Sequence, residues 1–319
     1  MKILKNVQKV PGGIMVVPLL LGATINTFFP EALNIGGFTT ALFKSSASAL
    51  IALFLLCNGA QINVRQAGNS VAKGVGLTLI KFILGAGIGW LVGSIWGMNG
   101  VLGLSPVAII AAVTNSNGGL YAALAGQYGD ASDVGAISIL SLNDGPFFTM
   151  VALGAAGLAS IPFMSLVACI VPILIGFILG NLDEDLREFL GKGTVICIPF
   201  FAFPLGAALN FGQIITAGLP GIILGLVSTL ITGFGGFFVM KLLKAKNPAV
   251  GAAIGTTAGN AVATPEALAA VDPTLAVVAA AATVQVAAAI IVTAICCPLL
   301  VSYLDKKVKG TAGNKIIKA

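Results

Sequence analysis

The chain has 319 residues, 57% of them hydrophobic and only 9% charged, with a formal net charge of +6 and no histidine. An ordinary soluble domain is about 25% charged, so the composition points to a polytopic membrane protein, and the lack of His excludes a His-based metal site, catalytic triad or proton relay. The basic residues stand at the ends of apolar runs rather than in a patch, which argues against nucleic acid as a partner.

In chain order, Met1 to Val10 carries three Lys, and the apolar run after it contains Pro18 and continues to span length, so it reads as a first span rather than a cleavable signal peptide. Ten spans follow, at roughly 12–29, 39–60, 74–97, 101–127, 134–158, 162–181, 194–211, 214–240, 248–269 and 274–303. No segment between them is long enough for a second domain, so residues 1–319 are expected to form a single transmembrane domain. With the N-terminus placed in the cytoplasm, fifteen of the seventeen basic residues fall in inside segments and none in the outside loops, as the positive-inside rule requires. Both termini are then cytoplasmic. Lys44 and Lys81 are left inside spans.

Span 4 is interrupted by Thr114-Asn115-Ser116-Asn117-Gly118-Gly119, and span 9 by Thr256-Thr257-Ala258-Gly259-Asn260. Lipid cannot satisfy loose backbone groups or Asn side chains, so such breaks are tolerable only inside protein or at a wet cavity. Three ordered matches link the halves: Val17–Gly22 with Val171–Gly176, Phe54–Asn63 with Phe201–Asn210, and Thr114-x-x-Asn117 with Thr257-x-x-Asn260. Each lies five spans from its partner. Five is odd, so the second copy is inserted upside down, giving inverted repeats at about 11–160 and 161–305. Inverted repeats with broken helices at their interface mark secondary transporters, whose sites lie near the bilayer midplane.

If the two breaks meet, half-helix N-termini near Gly118 and Ala261 offer free N–H groups and a positive dipole end to an anion. Asn115, Ser116, Asn117, Thr256, Thr257, Asn260 and Thr264 add uncharged donors and acceptors suited to hydroxyls and a carboxylate; the plainer reading is interhelical bonding by small polar residues. Asp144, beside Asn143 and Pro146 in span 5, is costly when ionised at that depth and reads as a coupling-proton site. Its alternative is a structural carboxylate paired with Lys81 or capping a broken helix. Lys81 itself reads as a snorkelling side chain or one half of an ion pair. Asn58, Gln61 and Asn63 read as a helix cap or a gate, and Thr24, Asn26 and Tyr121 as possible cavity lining. Glu266 reads as interfacial, and Asp183 to Glu188 as a solvated loop or the start of a surface helix. The five Cys residues read as small buried hydrophobes without metal-ligand spacing.

At these residues the chain resembles the 2-keto-3-deoxygluconate permease family. The likeness covers nearly the whole length and rests on Pro11–Met15 with Val17–Leu19, Thr114–Tyr121, Gly180–Asp183 with Leu186–Phe189, Pro199–Phe203 and Ala261–Pro265. The resemblance implies a proton-coupled importer of 2-keto-3-deoxygluconate, a sugar-acid anion, in the bacterial inner membrane. It also implies the ten-helix fold of sodium/proton antiporters and bile-acid symporters. There broken helices 4 and 9 cross, and a panel of helices 1, 2, 6 and 7 faces a core of helices 3–5 and 8–10. The family pattern favours Glu where this chain has Asp144, a carboxyl one methylene shorter.

The reading is therefore an all-α polytopic membrane protein of two inverted five-helix repeats, without cofactor or metal and with no enzymatic constellation. The sugar-acid carboxylate is expected near the half-helix N-termini, with Asn117 and Asn260 among its contacts. Its hydroxyls are expected at Asn115, Asn143 and Thr257, with Ser116, Gly118 and Thr264 completing the site, and H+ on Asp144 is the expected coupling ion. Sodium/proton exchange, or sodium-coupled symport of an organic anion, on the same fold is the runner-up. Oligomeric state stays open.

Overall fold

The computed structural model describes residues 2–9, 13–63, 68–143 and 145–316. Asp144 lies outside the described residues. The chain is all-helical, with no strand among the described residues. A short α1 (Ile3–Val7) precedes α2 (Gly13–Phe28); α3 (Gly37–Phe43) and α4 (Ala47–Gln61) form a pair bent by 57°, and α5 (Gly68–Trp96) runs unbroken. The pair α6 (Pro106–Thr114) and α7 (Gly118–Tyr128) is bent by 41° at its break. Then α8 (Ala131–Gly135), α9 (Ile137–Leu140) and a 3-10 turn at Ser141–Asn143 lead to α10 (Phe147–Ala155). In the second half come α11 (Phe163–Leu182), α12 (Glu184–Ala207) and α13 (Phe211–Leu242). Two 3-10 turns, Pro248–Ile254 and Gly259–Ala263, precede α14 (Thr264–Val271), and α15 (Ala276–Ile316) is the last described helix.

Among the described residues five helices are each long and apolar enough to cross a membrane, and three bent pairs bring the number to eight if each is one span, which makes this a multi-pass membrane protein. The two other expected spans are shorter as helices. The first is α2, with 16 residues. The ninth has only the 8 residues of α14 in α-helical form, because the stretch before it is wound as 3-10 turns. Gly251 there lies so close to Gly236 of α13 that an added Cβ would stand 2.1 Å from the Gly236 carbonyl oxygen. Helix α12 starts ten residues before the expected span 7, because Asp183 Oδ1 accepts from the amides of Asp185 and Leu186 and caps it. Lys44 stands at the α3–α4 bend, exposed, and donates to Asn34 Oδ1, so it is not held within an apolar span.

Between helices without a water-driven hydrophobic force, close backbone approach at small residues supplies the packing. Helix α2 packs on α12, and α4 packs on both α11 and α12. A Cβ on Gly22 would stand 2.2 Å from Phe203 O and 2.7 Å from Ala207 N, and one on Gly176 would stand 1.9 Å from Leu56 O and 2.9 Å from Ala60 N. Those are the matched positions of the two sequence halves, exchanged. Gly59 against Ile173 O and Gly206 against Leu19 O form a second exchanged pair. In the other group, α5 packs on α6 and α13, and α13 packs on α15 and on residues 248–254. Helix α5 turns Lys73, Leu77, Lys81, Gly85 and Gly89, a run at every fourth position, into this group, while Leu79, Ile83 and Trp90 face outward.

The connecting segments sort to two ends. At one end Lys73 pairs with Asp133 and stands 3.5 Å from Asp130, Lys246 stands 3.8 Å from Asp130, and Gln61 Nε2 donates to the Arg187 carbonyl at 2.9 Å. At the other, Asn26 donates to Leu209 O and Asp272 accepts from the Ser160 amide.

Candidate functional site

The first break forms because α6 ends at Thr114 and the backbone stays extended until Asn117, whose Oδ1 accepts from the Leu120 amide at 3.0 Å and caps α7. Asn117 N–H donates to Thr256 Oγ1 at 3.0 Å, and Thr257 Oγ1 donates to Ala112 O at 3.0 Å. The two breaks therefore touch. Asn143 clamps the first from behind: its Oδ1 accepts from Ser116 N at 3.2 Å and its Nδ2 donates to Ser116 Oγ at 3.1 Å.

Lys81 ties down the second break. It is fully buried, and its ammonium donates to the Ile254 carbonyl at 2.8 Å and to the Thr256 carbonyl. Snorkelling is thus replaced by an interior role. The carbonyls left open where the helix is interrupted need donors, and a cation supplies them. Among the described residues Lys81 has no carboxylate partner.

A cavity of about 700 Å³ lies between the two helix groups. Ser116, Asn117, Gly118, Gly119, Ala258, Gly259 and Asn260 line it from the breaks, and Ile137, Ser138 and Ser141 from the α9 region. Met15, Phe54, Asn58, Gln61, Arg187, Thr194 and Ile198 face it from α2, α4 and α12. Of the residues expected at the site, Ser116, Asn117, Gly118 and Asn260 line this space together. Asn115, Asn143, Thr257 and Thr264 are buried behind the lining: Asn115 donates to Ala111 O, and the Thr257 amide donates to Thr293 Oγ1. Tyr121 is fully buried with its hydroxyl on Asp133 O, and Thr24 and Asn26 bond backbone carbonyls away from the cavity.

Three lining residues carry buried nitrogens without a partner among the described residues: Asn58 Nδ2, Asn260 Nδ2 and Arg187 Nε. All three are donors, and no carboxylate is among the described lining residues. A cavity with surplus donors is short of acceptors, which a polyhydroxylated anion supplies. Arg187 and Thr194 were not legible as site residues, since Arg187 sits between acidic neighbours and looks like surface. Their signal is positional: once α12 starts at Glu184, residues 187, 194 and 198 fall on one helical face.

The pattern of the family described as 2-keto-3-deoxygluconate permease matches residues 4–310 of the chain. A protein of Salmonella typhimurium named 2-keto-3-deoxygluconate permease 1 is 57% identical over 96% of both chains. The 2-keto-3-deoxygluconate permease of Bacillus subtilis is 41% identical over 97% of this chain and 95% of its own, and that of Escherichia coli 39% over 98% of each. A permease moves its cargo unaltered, so this is a transport protein and not an enzyme. With breaks that touch, a donor-rich cavity beside them and this likeness from end to end, the chain belongs to the 2-keto-3-deoxygluconate permease family.

Proposed function

We propose that the protein is a secondary active importer of 2-keto-3-deoxygluconate in the bacterial inner membrane, driven by protons and working by alternating access. The observation that carries this reading is the donor-rich cavity at the two breaks, matched in chemistry to a hydroxylated carboxylate and joined to relatives named for that cargo. Ser116, Asn117, Gly118 and Asn260 contact the substrate directly. Asn115, Asn143, Thr257 and Thr264 hold the lining in place.

The exchanged contacts, Gly22 on Phe203 against Gly176 on Leu56 and Gly59 on Ile173 against Gly206 on Leu19, support two inverted five-helix repeats, arranged as in the sodium/proton antiporter fold. A further correspondence supports them. Asp130 follows α7 and accepts from Ser132 N and Oγ at 2.9 and 2.6 Å; Asp272 follows α14 and accepts from Thr274 N and Oγ1 at 3.1 and 2.6 Å. The cavity lies toward the end that carries Gln61 and Arg187, which the distribution of basic residues makes cytoplasmic, so the conformation is inward-open. The four-helix group of α2, α4, α11 and α12 is the panel, against which the rest moves as a core.

Asp144, next to the clamp residue Asn143, is proposed to carry the coupling proton. Uptake of labelled 2-keto-3-deoxygluconate into proteoliposomes tests the reading. An inward proton gradient should drive accumulation above equilibrium, and a protonophore should abolish it. Asp144→Asn should lose accumulation and keep counterflow exchange. Uptake that never exceeds equilibrium would reduce the protein to a passive path, and no uptake by folded protein would turn attention to sodium/proton exchange.

A further inference from the structure

Resting on the reading of the cavity as a sugar-acid site, we propose that the Arg187 guanidinium is the ligand of the substrate carboxylate and the residue that selects acids over neutral sugars. Among the described residues Arg187 is the one charged side chain lining the cavity. It has every opportunity to pair elsewhere, since Asp183 and Glu184 precede it by four and three positions, the spacing at which helical ion pairs form. It makes no ion pair among the described residues, whereas Glu188, its neighbour, stands 3.8 Å from Lys192. The Nε atom is buried and lacks an acceptor among the described residues. A guanidinium half removed from water and left without a counter-charge is expensive, and a bound carboxylate, accepted in the fork of two N–H groups, removes that cost.

The local frame holds the side chain there. Gln61 Nε2 donates to the Arg187 carbonyl at 2.9 Å, and Gln61 also packs over Gly191, where an added Cβ would stand 3.1 Å from it. Thr194 lies seven residues further on the same face, roughly 10 Å along the axis. A carboxylate at Arg187 therefore leaves the substrate's hydroxyl-bearing carbons directed along α12 into the cavity. The N-terminus of α7 is the weaker rival for the anion. It carries about half a charge, and its Asn117 and Leu120 amides are already bonded to Thr256 Oγ1 and Asn117 Oδ1.

The experiment compares binding of 2-keto-3-deoxygluconate and of its uncharged methyl ester to the purified full chain by calorimetry. The wild type should prefer the acid. Arg187→Gln should weaken acid binding about tenfold or more, leave the ester unchanged and so erase the preference. Arg187→Lys, a point charge without the fork, should keep part of it. Phenylglyoxal labelling of the unmodified protein adds a readout independent of variant folding, because the chain has only two arginines, Arg65 and Arg187. The acid, and not the ester, should protect Arg187. Unchanged acid affinity in Arg187→Gln, equal loss for acid and ester, or labelling of Arg187 that the acid does not slow would overturn the inference while the substrate reading stands. If the wild type instead binds another sugar acid, such as gluconate or glucuronate, and Arg187→Gln loses it, the substrate reading falls and the inference holds. If no carboxylate binds, both fall.

Discussion

The two breaks occupy matching places in the two halves and are built differently. The first has an α-helix on both sides, three residues between them, and a capping Asn117; Ser116 and Asn143 satisfy each other, and Asn115 Oδ1 is the one side-chain atom of the break left buried without a partner among the described residues. The second is wound as 3-10 turns on both sides of residues 255–258, has no side-chain cap at Gly259–Ala263, and leaves Asn260 Nδ2 and Thr264 Oγ1 buried without partners among the described residues. It leans on an outside donor, Lys81, to hold its carbonyls. The first break is therefore held largely by its own neighbours and the second by a remote cation. The lesson is that the second break is the more adaptable of the two. Its polar groups gain most from a ligand, and its geometry depends most on a single side chain.

The largest effect should come from removing that side chain. Lys81→Met orphans the Thr256 carbonyl and leaves the Ile254 carbonyl to the Thr256 amide at 2.7 Å and Thr232 Oγ1 at 3.2 Å, and a buried unsatisfied group costs about 1–3 kcal/mol. A fall of several degrees in the thermal midpoint in detergent is expected, with loss of substrate binding. An unchanged midpoint would mean that the second break stands without the cation.

Next in size, Gly251→Ala should be worse than Gly85→Ala. A Cβ at 251 meets backbone, 2.1 Å from Gly236 O, whereas one at 85 meets first the Thr114 Cγ2 methyl at 2.6 Å, which can turn aside. Overpacking costs about 1–3 kcal/mol, and the folded yield of purified variants should fall in that order. Equal yields would erase the distinction between the two walls. Smaller still is the contrast between the two asparagines. Asn117→Ala loses a helix cap worth about 1 kcal/mol and a lining group, so stability and transport both drop. Asn260→Ala removes a donor with no partner, so transport should drop while the midpoint stays. A matching drop in stability at Asn260 would show it bonded in the resting protein.

Much of this was legible in the sequence because the bilayer leaves few options. A polar run in an apolar span has to be sheltered, so the breaks and the group of Ser116, Asn117, Gly118 and Asn260 followed from position alone. What stayed hidden depends on rotation about a helix axis and on which element lies opposite. Lys81 could not be assigned, because its acceptors are backbone carbonyls 173 and 175 residues away, which have no sequence signature. Arg187 was masked by acidic neighbours that it does not use. Asn115 and Thr257 looked equal to Asn117 and Asn260, and only the direction of the extended backbone separates lining from support. The Asp130 and Asp272 correspondence was missed because its partners are Ser in one half and Thr in the other.

That last pair also gives the smallest and sharpest test. Both carboxyls are held below their ordinary value of 3.8: Asp130 at about 2, first by the Ser132 hydroxyl with help from Lys73, and Asp272 by the Thr274 hydroxyl and the Ser160 amide. A carboxyl lowered in the folded state stabilises it above its ordinary value, and that contribution is lost as pH falls through the folded one. Stability should therefore decline below about pH 4, and the two sites should part on salt. Asp130 stands 3.5 Å from Lys73 and 3.8 Å from a largely exposed Lys246, whereas among the described residues Asp272 has hydrogen bonds and no cation. Screening weakens the charge contacts and spares the hydrogen bonds. In Asp130→Asn the acid-side loss should become less sensitive to salt, and in Asp272→Asn the salt sensitivity should match the wild type. Identical salt responses in the two variants would mean that the lysines add nothing, and that the two arms end in the same uncharged turn.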